Sequence, residues 1–182
     1  KKTGAGVSYN ADDRFYSAST IKGPYVAALN MYTPWVLDSW SGTMHETILN
    51  SSNETYASLR SAFGANPMYR LAQDAHAWDF DWDAWYTYYS PRMLAKLWPG
   101  MADYFMSERQ NAWWCRDVYS SNNWITSRPT LSWKGCTIYA KSGWLYGGPT
   151  VHNEGCIVMD GDNPYLMVVI SNEIADNSWK MS

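Results

Sequence analysis

The chain has 182 residues, which is enough for one domain with a sizeable hydrophobic core. Its 14 basic and 17 acidic residues give a formal net charge of −3, and the basic residues form no cluster that could follow a phosphate backbone, so we expect no nucleic-acid partner. The longest apolar runs are too short to cross a bilayer, and we therefore expect no transmembrane segment.

The first predicted helix follows an extended N-terminal segment. Residues 25–29 are apolar throughout and indicate a buried helix. Pro24 has no backbone N–H and is tolerated only in the first turn of a helix, so this helix must begin close to Ser19. Ser19 is therefore predicted to lie at a helix N-terminus.

Further helices are predicted in the middle of the chain. Residues 45–63 have the apolar spacing of two helices that are joined by a turn at residues 51–53. Residues 66–76 predict a short helix, and the aromatic and acidic residues 78–85 predict a loop. Residues 90–97 begin with a capping serine and a proline at the first helical position, which indicates another helix.

The last third of the chain has the pattern of β-strands. Residues 136–141, 155–160 and 165–172 are separated by turns rich in glycine and proline, which is typical of strands joined by hairpins. We expect the N-terminal segment to complete this sheet and a short helix to begin at Ala175.

This order of elements predicts an α+β fold, with an antiparallel β-sheet flanked by helices and a helical lobe. We expect a single domain over residues 1–182, because no stretch has the composition of a linker. The helical lobe would comprise roughly residues 30–130, and residues 1–29 and 131–182 would form the sheet lobe.

The cysteines and histidines indicate no metal site, and nothing in the sequence points to a cofactor. No two cysteines lie within four residues of each other, unlike the cysteines of zinc sites. In an exported chain Cys136 could pair with Cys156 or with Cys115, and three reduced thiols are the alternative. The dispersed histidines, which we expect to be surface or structural residues, are His45, His76 and His152.

Ser19 and Lys22 form the best candidate pair for nucleophilic catalysis. A serine hydroxyl needs a base to accept its proton, and a lysine three residues later on a helix lies on the same face. The unpaired N–H groups and the dipole of the first helical turn would stabilise negative charge on an attacked carbonyl. This spacing also arises by chance at helix caps, so the hypothesis depends on further motifs.

Two further motifs follow in the chain. Residues 51–53 (Ser-Ser-Asn) lie at the junction of two predicted helices, and residues 141–143 (Lys-Ser-Gly) end a predicted strand. With Ser19 and Lys22, they resemble the Ser-x-x-Lys, Ser-x-Asn and Lys-Thr/Ser-Gly motifs of the serine β-lactamase and penicillin-binding protein superfamily. The class A β-lactamase group is the most similar.

The resemblance extends over most of the chain. Residues 9–15 are similar to the approach to the nucleophile in this superfamily, and residues 90–97 to the helix after its omega loop. The gap from Ser19 to Ser51 is much shorter than in class A enzymes. The resemblance therefore implies a trimmed β-lactamase/transpeptidase-like fold.

The resemblance also implies catalytic roles. Ser19 would attack an amide or lactam carbonyl and form an acyl-enzyme, with Lys22 as proton acceptor. The backbone N–H groups of Ser19 and Trp144 would form the oxyanion hole. Ser51 would relay a proton to the leaving nitrogen, and Asn53 would bind both Lys22 and the amide of the substrate.

Substrate recognition is implied in the same way. Lys141 and Ser142 would attract and seat a substrate carboxylate, and Gly143 would leave room for the substrate along the strand edge. The substrates would be β-lactams or D-Ala-D-Ala-type peptides, which are small molecules or peptides with a carboxylate. The protein would act outside the bacterial cytoplasm, as a secreted, periplasmic or cell-envelope enzyme of peptidoglycan or antibiotic chemistry.

Other segments match the same motifs. Residues 2–4 fit the third motif, and residues 8–10 and 120–123 fit the second. Residues 2–4 precede the nucleophile at the chain terminus, and residues 120–123 are predicted to lie in a polar loop between elements. We therefore favour residues 51–53 and 141–143.

One departure from class A enzymes leaves the function open. Those enzymes use an omega-loop glutamate to activate the deacylating water, whereas the corresponding stretch here has no glutamate and only four aspartates: Asp74, Asp79, Asp81 and Asp83. We interpret the three alternating acids, Asp79, Asp81 and Asp83, as a solvated loop edge. A penicillin-binding or sensor-type module with little turnover is therefore the alternative to a hydrolase. The 12 Trp and 14 Tyr leave a third possibility, an aromatic surface that binds glycans or proteins.

Overall fold

The computed structural model describes residues 5–148 and 150–172. Within these ranges the chain forms seven α-helices and five β-strands. In chain order they are β1 (Phe15–Tyr16), α1 (Lys22–Tyr32), α2 (Leu37–Leu49), α3 (Asn53–Phe63), α4 (Asn66–Asp74), β2 (Tyr88–Tyr89), α5 (Pro91–Phe105), α6 (Ala112–Ser121), α7 (Arg128–Leu131), β3 (Thr137–Leu145), β4 (Val151–Met159) and β5 (Tyr165–Ser171).

The predicted α+β fold is confirmed, and so are the helices on which the motifs lie. The buried helix is α1, which follows a 3₁₀ turn at Ala18–Ile21. The two helices joined at residues 51–53 are α2 and α3, and residues 78–85 form a loop. The predicted helix from Ala175 and the rival motif at residues 2–4 lie outside the described residues.

Capping side chains define the helix starts that the sequence predicted. The Ser52 hydroxyl accepts a hydrogen bond from the Thr55 N–H at 3.2 Å and caps α3. Ser90 caps α5 in the same way through the Met93 N–H, also at 3.2 Å. Each cap provides an acceptor for one of the N–H groups that a helix N-terminus leaves unpaired, and so fixes where the helix begins.

Helix α1 is the centre of the core. Residues 21–30 are all buried, and the helix packs against α2, α4, α5 and α6. The hydroxyl of its Tyr25 donates to the carbonyl oxygens of Leu59 and Gly64, which lie at the end of α3. A helix that is enclosed on every side holds its N-terminus rigidly, and the 3₁₀ turn that leads into it carries Ser19.

The main sheet is antiparallel with strand order β3-β4-β5. Its first hairpin is longer than predicted, because β3 continues to Leu145 and β4 begins at Val151, which pairs with Leu145. The polar residues that interrupt the apolar pattern there are buried, among them Ser142 and Asn153. They face other polar groups rather than solvent, so the alternating pattern could not reveal them.

The expectation that the N-terminal segment completes this sheet is wrong for the described residues. Strand β1 pairs with β2 in a separate two-stranded sheet. The next residue, Ser17, continues this contact, since its N–H donates to the Thr87 carbonyl at 2.8 Å. Asn153 of β4 reaches the segment only through its side chain, whose Nδ2 donates to the carbonyl oxygens of Tyr16 and Ser17.

The three cysteines are free thiols, and neither of the two possible disulfides forms. Cys115 and Cys156 are buried, and burial raises the pKa of both thiols well above the usual value. These two side chains therefore act as small apolar core residues. None of the helices in the described ranges has the length and apolarity needed to span a membrane.

Replacing Gly155 with alanine tests how tightly β4 packs on α5. A Cβ atom at this position would lie 2.3 Å from Nε1 of the buried Trp98. We expect Gly155→Ala to destabilise the protein by about 1–3 kcal/mol, as other overpacked cores are. The control is Gly42→Ala on the exposed face of α2, where a Cβ meets nothing within 4 Å and helix propensity should increase stability. Urea unfolding of both variants is the measurement, and equal midpoints would contradict the close packing.

Candidate active site

Ser19 lies in the 3₁₀ turn that leads into α1. The residue before it, Ala18, has a φ of 44°, in the left-handed region that residues with a Cβ rarely adopt. Ser51, at the turn between α2 and α3, has a φ of 57°. Non-glycine residues in this conformation cost free energy and cluster at functional sites, and here they flank or belong to the predicted motifs.

Lys22 connects the first motif to the second. Its Nζ lies 3.0 Å from Ser19 Oγ and donates to the Ser51 carbonyl oxygen and to Asn53 Oδ1, each at 2.6 Å. The residue is fully buried, and desolvation lowers the pKa of its ammonium group to about 8. A lysine with a pKa of about 8 is neutral in about a tenth of the molecules at pH 7, and the neutral amine can accept a proton from Ser19.

Lys141 connects the third motif to the same turn. Its Nζ donates to Ser51 Oγ at 2.9 Å and to the Ser142 carbonyl oxygen at 2.7 Å. The side chain is fully buried, and desolvation together with the nearby Lys22 lowers its pKa to about 7, against the opposing effect of Glu154. The two lysines thus hold the hydroxyl and the carbonyl of one residue, Ser51.

Gly143 allows β3 to approach the nucleophile turn. A Cβ atom here would lie 2.5 Å from the Ser19 backbone nitrogen and 2.3 Å from that of Thr20, distances that real Cβ atoms do not show. The next residue along the strand is Trp144, the other predicted contributor to the oxyanion hole. The absence of a side chain at Gly143 therefore lets β3 pack against the backbone of Ser19, one residue before Trp144.

Ser142, which was expected to seat a substrate carboxylate, binds a carboxylate of the protein instead. It is fully buried, and its hydroxyl donates at 2.5 Å to Oε2 of Glu154, its partner on β4. The Glu154 carboxylate also accepts hydrogen bonds from the backbone N–H groups of Thr126 at 2.5 Å and Ser127 at 3.2 Å. The expected carboxylate-seating hydroxyl is thus engaged by a carboxylate of the protein itself.

Trp144 lines three cavities, and Ser19 lines two of them. The serine cavity, of about 250 Å³, is lined by Ser19, Asn50, Ser51, Asn53, Trp124 and Trp144. The tyrosine cavity, of about 320 Å³, is lined by Tyr16, Ala18, Ser19, Asn53, Tyr56, Ala57, Trp85, Tyr86, Trp144 and Leu145. The threonine cavity, of about 400 Å³, is lined by Asn123, Trp124, Ile125, Thr126, Pro129, Trp144, Tyr146 and His152.

Several of these residues were not found by the sequence motifs. The Tyr86 hydroxyl donates to Asn53 Oδ1 at 2.9 Å, so Asn53 accepts from both Tyr86 and Lys22. The only sequence signal for Tyr86 and the tryptophans of the cavities was the excess of Trp and Tyr, which does not say which rings face a cleft. Glu154 gave no signal at all, because its partners are distant in the chain.

The rival motif at residues 120–123 has a structural role. Asn122 is buried and its Nδ2 donates to the Ala140 carbonyl, while its Oδ1 accepts from the Trp124 N–H. Asn123 contacts Asn50 Oδ1 at 3.2 Å. These contacts attach the segment after α6 to β3 and to the turn that carries Ser51.

His152 is a buried partner of Thr126 rather than a surface residue. Its Nε2 lies 3.0 Å from Thr126 Oγ1, and only 6% of its surface is exposed. Burial lowers the pKa of this imidazole against the opposing effect of Glu154, so the ring is neutral at pH 7. The threonine cavity therefore gains no positive charge from it.

The four aspartates of this stretch line none of the three cavities, and three of their carboxylates have partners within the protein. Asp79 forms an ion pair with Lys96 at 3.1 Å, and Asp74 accepts from the Tyr32 hydroxyl at 2.7 Å. Asp81 accepts from the Ala84 N–H. Among the residues that line the three cavities there is no aspartate or glutamate.

Solved structures with the same fold are class A β-lactamases. One from Mycobacterium abscessus matches with a TM-score of 0.72 at 17% identity, over 97% of this chain and 84% of the other. One described as a β-lactamase from Sphaerobacter thermophilus matches with a TM-score of 0.73 at 15% identity, over 92% and 78%. An ancestral class A β-lactamase (GNCA) matches with a TM-score of 0.67 at 15% identity, over 97% and 84%.

At these identities the structural matches establish the fold alone, and no curated protein matches the sequence. The sequence profile of the β-lactamase enzyme family matches residues 39–179, which is more than half of the chain. This range includes the second and third motifs, and the fold brings both to Ser19 and Lys22. The chain belongs to the β-lactamase enzyme family.

Proposed function

We propose that this protein is a serine hydrolase that forms an acyl-enzyme on Ser19. The observation that supports it most strongly is the position of Lys22, whose buried Nζ lies 3.0 Å from Ser19 Oγ. A nucleophile paired with a base of lowered pKa is the arrangement that acyl transfer requires. Membership in the β-lactamase enzyme family supports the same reaction class.

The proposed reaction begins with attack of Ser19 Oγ on a carbonyl carbon. Neutral Lys22 takes the hydroxyl proton, and the developing oxyanion is stabilised by the N–H groups of Ser19 and Trp144. The carbon–nitrogen bond then breaks, and the nitrogen receives a proton through the Ser51 hydroxyl, which Lys141 orients at 2.9 Å. The product is an ester between the acyl group and Ser19, which water would hydrolyse to a carboxylic acid.

The proposed substrates are β-lactams or peptides of the D-Ala-D-Ala type. Asn53 would bind the amide of the acyl group, since its side chain lines both the serine cavity and the tyrosine cavity. The aromatic rings of the tyrosine cavity, which include Tyr86 and Trp85, would pack against the rest of the acyl group. We further propose that the protein acts outside the cytoplasm, where such substrates occur.

A penicillin-binding module with little turnover is the second candidate. It is favoured by one observation, that no aspartate or glutamate lines any of the three cavities. Hydrolysis of an acyl-enzyme needs a base that activates water, and the loop aspartates are engaged elsewhere. Pre-steady-state kinetics separate the two candidates, because a module of this kind gives one burst of product per protein and a hydrolase continues to turn over.

Removing the nucleophile is the direct test of the proposed acylation. We expect the wild-type protein to gain the mass of one acyl group in a panel of β-lactams and their esters, and Ser19→Ala to gain none. The matched control is Ser121→Ala, an exposed serine of the rival motif, which should acylate like the wild type. Intact-mass spectrometry with peptide mapping is the measurement, and an adduct on any residue other than Ser19 would refute the assignment.

The protonation of Lys22 predicts how acylation depends on pH. Only the neutral amine accepts a proton, and its pKa is about 8, so protonation should slow acylation as the pH falls below that value. The titration of Lys141, whose pKa is about 7, is coupled to that of Lys22. The midpoint of the pH–rate profile therefore belongs to the pair of lysines. With an uncharged sulfonyl fluoride, we expect the rate to fall about tenfold per pH unit below about pH 7 and to level off above about pH 8. A rate that stays flat from pH 5 to 9 would contradict Lys22 as the base.

A further inference from the structure

Neither of the two side chains that are expected to seat a carboxylate, Lys141 and Ser142, is exposed to receive one. Ser142 is fully buried and donates its hydroxyl proton to Glu154. Lys141 is fully buried too, and its Nζ binds the hydroxyl of Ser51 and the carbonyl of Ser142. Both side chains therefore form hydrogen bonds within the protein rather than facing a cavity.

Glu154 adds negative charge at the same place. Its carboxylate accepts from the hydroxyl of Ser142 and the N–H groups of Thr126 and Ser127, and it is only 2% exposed. All three partners act as donors, which matches an ionised carboxylate, a group that can only accept. A second carboxylate beside Ser142 would therefore face a like charge in a poorly solvated environment, where repulsion is strong.

The walls of the serine, tyrosine and threonine cavities contain no lysine or arginine, and the buried Lys141 amine that interacts with Glu154 has its pKa lowered to about 7. His152, the one titratable base in these walls, is held neutral by burial. Most residues in the walls of the threonine cavity are aromatic or aliphatic, among them Trp124, Trp144 and Tyr146, and the polar side chains that line it, such as Asn123 and Thr126, are uncharged. Such a wall favours an uncharged group with an apolar face.

We propose that the acyl donors of this protein are uncharged where they enter the threonine cavity beside Thr126, and that Glu154, which binds the Thr126 N–H and the Ser142 hydroxyl behind this wall, is the residue that excludes a carboxylate there. Within the proposed substrate class these are esters or amides of the acids that the family resemblance implied, with the ester or amide group in the threonine cavity. The inference rests on the proposed acylation of Ser19. Glu154 is then a specificity-determining residue, which acts through its negative charge and through its hydrogen bond with the Ser142 hydroxyl.

The test compares two β-lactams that differ only in this charge, benzylpenicillin and its methyl ester. The rate of Ser19 acylation by each is followed by intact mass, and their ratio is the readout. We expect the ester to acylate the wild type at least about tenfold faster than the acid, which corresponds to about 1.4 kcal/mol. A variant that only loosens the fold changes both rates together and leaves the ratio unchanged.

Two kinds of variant should increase the acylation rate with benzylpenicillin relative to the rate with its methyl ester. Glu154→Gln removes the charge but opposes an amide NH₂ to a backbone N–H, so it also lowers stability. Trp124→Arg leaves Glu154 in place and brings a cation to the rim shared by the serine and threonine cavities. Its matched control is Trp113→Arg on α6, since Trp113 is similarly exposed and lines none of the three cavities. We expect Trp124→Arg to favour the acid by about tenfold relative to Trp113→Arg.

The outcomes separate this inference from the function on which it rests. A faster reaction of the ester, with a ratio that shifts in Glu154→Gln and Trp124→Arg alone, supports both. Acylation of Ser19 that is as fast or faster with the acid overturns the exclusion of carboxylates and leaves the serine hydrolase intact. A lack of any Ser19 adduct with either compound overturns the proposed acylation, and the inference fails with it.

Discussion

The architecture of the site depends on two lysines buried at one turn of the chain. Lys22 from α1 and Lys141 from β3 both bind Ser51, through its carbonyl oxygen and its hydroxyl respectively. An ammonium group is costly to bury unless oxygen atoms surround it, so the α2–α3 turn, α1 and β3 are held at fixed distances. The same burial lowers the pKa of both amines, which is the property that the proposed role of Lys22 as a base requires. Positioning and reactivity thus have one physical cause.

The site also requires close backbone contact between β3 and the segment that contains Ser19 and α1, and two glycines allow it. Gly143 lets β3 touch the turn that carries Ser19, and Gly23 on α1 faces the Lys141 side chain, where an added Cβ would lie 2.8 Å from the Lys141 Cβ. Each glycine removes a side chain from the interface between α1 and β3. The strand can then bring Lys141 to Ser51 and Trp144 to the cavity that Ser19 lines.

Local signals in the sequence predicted the helices, and the motifs predicted which residues meet. The caps at Ser52 and Ser90 and the proline in the first turn of α1 each act within a few residues, so a single sequence reveals them. The pairing of β1 with β2 and the contact between Ser142 and Glu154 could not be predicted, because their partners are set by the tertiary fold. Glu154 changes the chemistry of the site most, and no pattern marks a buried acid that pairs with a hydroxyl twelve residues away.

The central claim is that Ser19 is a nucleophile activated by Lys22 and faced by an oxyanion hole of backbone N–H groups. A crystal structure with an uncharged aryl boronic acid tests it most directly, since boron forms a tetrahedral adduct with an activated serine. We predict a bond from Ser19 Oγ to boron, with one boronate oxygen within about 3 Å of the N–H groups of Ser19 and Trp144 and with Lys22 Nζ still in contact with Oγ. Boron bound to another residue, or a boronate oxygen that points away from both N–H groups, would contradict it.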